Sequence, residues 1–185
     1  NYGTDGPLAQ ISLRTAFILQ GDTQEEAAVN TNPSWLVTEG RYPARGTNVI
    51  SPFSLMWIGM LHDYYMYRPD SAFVSQHLPG MRQVLSFFMQ HTGKDGTLKG
   101  LPYWNFMDWV ERQRQWKMGV PPKGKDGCSA ILDLLLLRAY QWATDLEAHL
   151  GNQGMADGYR QCADMLANTI QRKYWDTDKQ CYADV

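Results

Sequence analysis

Three helices that are apolar on every side constrain this chain more than any other feature. From Ser51 to about Tyr67 the residues Phe53, Leu55, Met56, Trp57, Ile58, Met60, Leu61, Tyr64 and Tyr65 lie nearly all round the cylinder. Such a helix must be covered on all sides. Leu8 to Leu19 is of the same kind, and so is the stretch ILDLLLLRAYQWA within a helix that ends near Leu150. A short connector follows each of them: Gln20–Asp22, Arg68–Asp70 and Leu150–Asn152. A second helix comes next in each case. The first, Thr23 to about Asn30, is short and polar, with Glu26 as a capping-box residue. The second, opening at Pro79 after a turn of helix capped by Asp70, has one stripe of Met81, Val84, Leu85, Phe88 and Met89. The third, Gln153 to Tyr174, has a stripe of Met155, Tyr159, Cys162, Leu166 and Ile170. Ser51-Pro52 reads as a cap followed by the first helical residue, and Ser129 or Asp126 as the cap of the third buried helix.

The chain therefore repeats a hairpin three times, from near Leu8, Ser51 and Cys128. The connectors within hairpins are short, while the loops ahead of the buried helices are long and aromatic. All three buried helices then start at the same face. That is the arrangement of an (α/α)6 toroid, an all-α fold of inner and outer helices, and about half of one is present in residues 1–185 as a single region. It gathers the positive ends of the inner helices under the loops, where Asp5 and Asp108 would sit ionised. An α-solenoid would repeat at a fixed period of roughly 34 residues. The unequal repeats favour the toroid.

The loop Leu101–Trp116 (LPYWNFMDWVERQRQW) carries Tyr103, Trp104, Phe106 and Trp109, with Asn105 and Asp108 between them. Flat aromatic faces beside carboxylate and amide groups suit a sugar, whose C–H face stacks and whose hydroxyls need polar partners. The alternative is a loop that plugs its aromatics into its own core. Glycoside hydrolysis needs two carboxylates. Asp5, Glu39, Asp108 and Glu111 are the loop candidates; the tryptophans around Asp108 would desolvate it and raise its pKa, which a cap or an Arg partner would oppose. Tyr42 and Arg45, ahead of the second inner helix, fall on the same face as substrate contacts or loop braces.

Other chemistries find little support. The net charge of −2 gives no electrostatic case for nucleic acid or an anionic membrane. The longest apolar run, Ile131–Leu137, is interrupted by Asp133 and is too short to span a bilayer. His62, His77, His91 and His149 have no metal spacing, so no metal site is expected. KGKDG at 123–127 lacks the spacing of a phosphate loop, and no nucleophile elbow is present. Cys128, Cys162 and Cys181 form no C-x-x-C pair and read as buried free thiols. No signal peptide is visible, and a start at Asn1 suggests a processed product or an excised fragment.

SPFSLMWIGMLHDYYMYRPD, FVSQHLPGMRQVLSFF, DGTLKGLPYWNFMDWV and the tail KYWDTDKQCYADV, in that order, resemble the catalytic domain of α-L-rhamnosidases among the six-hairpin glycosidases. The resemblance covers roughly residues 41–185 and implies an (α/α)6 barrel that hydrolyses terminal rhamnosides with inversion. It implies that Trp104, Asn105, Asp108 and Trp109 line the sugar pocket. It also places the general acid before the first segment and the general base beyond Val185. Asp5, in Asn-Tyr-Gly-Thr-Asp, only loosely matches the end of the acid motif. The expected partner is a glycoside or oligosaccharide, with no cofactor. A secreted or periplasmic bacterial setting is compatible with this, and the cut barrel edges would favour self-association. The rival readings are a helical-repeat interaction domain and another (α/α)6 carbohydrate enzyme, such as an unsaturated glucuronyl hydrolase or a lyase.

Overall fold

The computed structural model describes residues 30–31, 49–68, 70–109 and 116–183. The first predicted hairpin lies outside these residues except at Asn30. That residue is not the end of a helix: Asn30–Thr31 (β1) pairs antiparallel with Val49–Ile50 (β2), which runs directly into Ser51–Tyr67 (α1). Ser71–Ser75 (α2) forms the turn of helix expected after Asp70, whose side chain accepts from the Phe73 N–H. Leu78–Gln90 (α3), Ala130–Leu150 (α4) and Gln153–Tyr174 (α5) follow. The chain ends in a hairpin of Trp175–Asp176 (β3) and Cys181–Tyr182 (β4), the two extended pieces expected of the tail.

Contacts along the helices give their directions. Gly59 and His62 meet Trp142, His62 Nε2 lies 3.6 Å from Asp145, and the Tyr65 ring faces His149. The two sequences advance together, so α1 and α4 are parallel neighbours. Leu78 packs at Gly151 and Arg82 reaches Glu147, so α3 runs antiparallel to both. Helix α5 returns along α4 through the Gly151–Asn152 connector, and the Asn152 side chain caps it at Met155. Two inner helices therefore stand parallel with their outer partners reversed behind them. This is a sector of an (α/α)6 toroid.

The core is the seam between these layers, filled by Leu55, Ile58 and Leu61 from α1, Met81, Val84, Leu85 and Phe88 from α3, Leu136 and Leu146 from α4, and Leu166 from α5. An inner helix leans closely on its neighbour at Gly59, where an added Cβ would lie 2.7 Å from the Trp142 ring. Four local expectations need correction. Ser51 is not a cap but a helix residue, whose hydroxyl donates to Pro102 O. Burial of the inner helices is incomplete: Met66 and Tyr67 in the last turn of α1, and Leu134 on α4, are exposed. Met155 is exposed too, and of the thiols only Cys128 is buried, with Cys181 exposed at the edge of the tail hairpin.

Candidate functional site

The aromatic loop sits at the N-terminal ends of α1 and α4. Ser51, in the first turn of α1, holds Pro102, while Phe53 meets the Phe106 ring edge-on at 6.0 Å. Asp133, in the first turn of α4, accepts from the Leu98 N–H at 2.7 Å. Both inner helices thus direct their dipoles toward the loop, as the repeat pattern predicts.

Within the loop the four candidates divide into two pairs. Trp104 and Trp109 form a platform with Phe106: Trp104–Phe106 centroids lie 5.0 Å apart, Phe106–Trp109 5.1 Å and Trp104–Trp109 6.0 Å. Trp109 is 57% exposed, a large apolar face left to solvent. Trp104 donates its indole N–H to Met118 O at 3.0 Å, and the Met107 N–H donates to Gly119 O, so the loop folds back on itself. Gly119 is required at that crossing: φ is +71°, and a Cβ would lie 2.4 Å from the Phe106 ring.

Asp108 stands beside the platform and is exposed, not enclosed by tryptophans as the sequence suggested. Its carboxylate accepts from the backbone N–H of Trp109 at 2.7 Å, which fixes the backbone at that step. Asn105 is buried, with its amide donating to Leu101 O and its Oδ1 meeting no hydrogen-bond partner among the described residues. A buried amide oxygen of this kind is an acceptor in want of a donor. Asp5, Tyr42, Arg45, Glu39 and Glu111 lie outside the described residues. Among the described residues, no group of three His, Cys, Asp or Glu is placed to hold a metal ion, and no helix is long and apolar enough to cross a membrane. Two surface clefts, of about 160 Å³ between α4 and α5 and about 550 Å³ between α5 and the turn at Lys94–Asp95, involve none of the loop aromatics.

The stems of the loop hold what sequence reasoning missed. Asp133 is fully buried; it accepts from Leu98 N–H and, at 2.6 Å, from the Tyr174 hydroxyl at the end of α5. Desolvation pushes its carboxyl up to about 6, against the pull of those two hydrogen bonds and of Lys173. The same burial and the Asp133 contact push the Tyr174 phenol up. Beside them the Cys128 thiol lies 3.3 Å from Thr97 Oγ1, which donates to Asp95, and the Cys128 N–H donates to Asp126, the ion-pair partner of Lys173. The clue was present as a lone carboxylate inside an otherwise apolar run.

Residues 21–185 match the family model described as the bacterial alpha-L-rhamnosidase 6 hairpin glycosidase domain. The chain belongs to this six-hairpin glycosidase family. Among solved structures, a family 78 rhamnosidase of Bacillus sp. GL1 is similar, with 27% identity and a TM-score of 0.62 over 74% of this chain and 13% of that one. A rhamnosidase from Klebsiella oxytoca, solved with rhamnose bound, shares the fold at 19% identity and a TM-score of 0.66, over 96% of this chain and 31% of that one. The chain thus spans less than a third of the length of either. No curated protein matches it. Membership of the six-hairpin family agrees with the parallel inner helices and reversed outer helices seen here.

Proposed function

We propose that this chain supplies part of the sugar pocket of an α-L-rhamnosidase, an enzyme that hydrolyses terminal rhamnosides with inversion at the anomeric carbon. The observation that carries this reading is the platform of Trp104, Phe106 and Trp109 beside the exposed Asp108, at the N-terminal ends of two parallel inner helices. Rhamnose is a deoxy sugar with one methyl group and an apolar C–H face. A partly exposed indole complements that face, and a carboxylate oxygen accepts a hydrogen bond from a sugar hydroxyl. Asn105 braces the loop through Leu101 and keeps one acceptor for a hydroxyl or an ordered water. Asp108 is the only carboxylate within Leu101–Trp109, and inverting hydrolysis takes two. The resemblance to rhamnosidases implies that the principal acid and base come from other parts of the domain, and the role we assign to Asp108 is sugar binding. The likeness to rhamnosidases favours a rhamnoside over the uronide substrates of other toroid enzymes. The apolar edges of the partial barrel are the surfaces through which the isolated chain would self-associate, to be checked by light scattering.

Rhamnose titrated into the chain should quench tryptophan fluorescence. Trp104→Ala should abolish the response, and Asp108→Asn should weaken binding by roughly tenfold, the loss of one charge-assisted hydrogen bond. A response to unsaturated uronides and none to rhamnose would transfer the pocket to another sugar class. No response to any sugar would favour a helical-repeat scaffold.

A further inference from the structure

The aromatic platform lies in the first half of an excursion from Lys99 to Gly127 that belongs to no helix or named strand among its described residues. A loop of that length loses much conformational entropy when ordered, so its ends have to be fixed by something other than local structure. Both ends meet at one buried polar cluster. The incoming stem supplies the Leu98 N–H and the Thr97 hydroxyl, and the outgoing stem supplies Cys128, whose thiol touches that hydroxyl. Asp133 lies beneath, one oxygen on Leu98 and the other on Tyr174. Neither partner is charged. The charged groups that face the cluster are Lys173 of α5, Asp126 ahead of α4 and Asp95 in the turn after α3.

We propose that Asp133 is a positioning residue for the sugar-binding loop, tying its incoming stem to the inner helix below and to the end of the outer helix behind. The proposal rests on the reading of that loop as a sugar platform. Asp133 touches no sugar; it acts through Leu98. From there the strand of contacts continues to Leu101, which receives the Asn105 amide, and to Pro102, which receives the Ser51 hydroxyl. A carboxylate suits the task because it accepts from two directions at once, one stem and one helix end.

The test is backbone amide exchange by mass spectrometry, with near-ultraviolet circular dichroism of the coupled tryptophans, in the absence of sugar. Asp133→Ala should speed exchange across 98–106 by on the order of tenfold or more beyond any change in α4 and α5, and should collapse the near-ultraviolet signal. Asp133→Asn keeps an oxygen acceptor for Leu98 and turns its amide N–H toward the Tyr174 oxygen, reversing that bond without losing it, and should restore both. Equal acceleration in the loop and the helices, or an Asn variant as damaged as the Ala variant, would overturn the proposal. Should Asp133→Ala fail to fold, the Asn variant and Tyr174→Phe decide. Parent-like loop exchange in the first and faster loop exchange in the second support the pin; the reverse removes it. Rhamnose is then added separately: a parent chain that ignores it sinks the sugar reading without touching the exchange result.

Discussion

Helix α4 carries two carboxylates that water does not reach, one near each end, and they are held in opposite ways. Glu147, near the C-terminal end, is 1% exposed and is gripped by the Arg82 guanidinium through two hydrogen bonds of 2.7 and 2.8 Å, with the Asn152 N–H on the same carboxylate. Asp133, near the N-terminal end, is equally enclosed but is held by an amide and a phenol. Glu147 is matched by a full opposite charge, and the contact raises the pKa of its arginine partner. Asp133 is not so matched, and its own affinity for a proton rises instead. The difference separates the ends of the molecule. Where hairpins join, the chain uses a fixed ionic rivet between an outer and an inner helix. Beneath the aromatic loop it uses a carboxyl that burial pushes up to about 6.

The largest effect should come from breaking the rivet. Arg82→Ala leaves Glu147 buried without its countercharge, and removal of one partner from a buried pair costs about 3–5 kcal/mol. The low end is expected, because the Arg82 side chain is 36% exposed and water can enter in its place. Urea denaturation followed by far-ultraviolet dichroism measures it. A loss well under 1 kcal/mol would mean that the pair is a surface bridge and the two ends of α4 are not different in kind.

The two carboxylates also show what was legible in the sequence. The inner helices were, because residues such as Phe53, Leu55, Met56, Trp57, Ile58, Met60 and Leu61 fall nearly all round the cylinder, which only a surrounded helix explains. The parallel order of α1 and α4 followed from unequal connector and loop lengths. Trp104, Phe106 and Trp109 were legible as a cluster because they are neighbours in the chain. Arg82 and Glu147 were not: sixty-five positions separate them, each looks like an ordinary solvent-facing charge on its helix, and only the antiparallel docking of α3 on α4 joins them. Ser51 was misread for a related reason. Ser-Pro ahead of an apolar run signals a cap, but here tertiary contact with Pro102 takes the hydroxyl. The enclosure expected around Asp108 depended on how the loop folds back through Gly119, which the order of residues does not carry.

The second effect, of similar size, is a pH dependence specific to Asp133. Its folded pKa of about 6 lies above the ordinary carboxylate value of 3.8. The unfolded chain therefore releases the proton first as pH rises. The stability tied to this group is complete below about pH 4 and is lost as pH rises toward about 6, roughly 3 kcal/mol in all. Asp133→Asn removes the titration and should flatten that slope, read as the change in unfolding free energy between pH 4 and 7. An unchanged slope in the variant would place the dependence elsewhere.

The smallest effect is on the acid side and has the opposite sign. Asp126 is held down to about 2 by the Lys173 ammonium and the Cys128 N–H. Its folded pKa lies below the unfolded one, so the stability it contributes is present above about pH 4 and is lost as pH falls toward 2. The Asp126 side chain is 47% exposed, so solvent screens the pair and its worth is under about 1 kcal/mol. Asp126→Asn should trim the acid limb of the stability profile by that amount, and 0.5 M salt should trim the parent by about as much, because an exposed pair is screened where a buried one is not. The Asp133 limb should hardly respond to salt. If salt flattened both limbs equally, Asp133 would be hydrated in solution, and the contrast between the two kinds of carboxylate beneath the loop would fail.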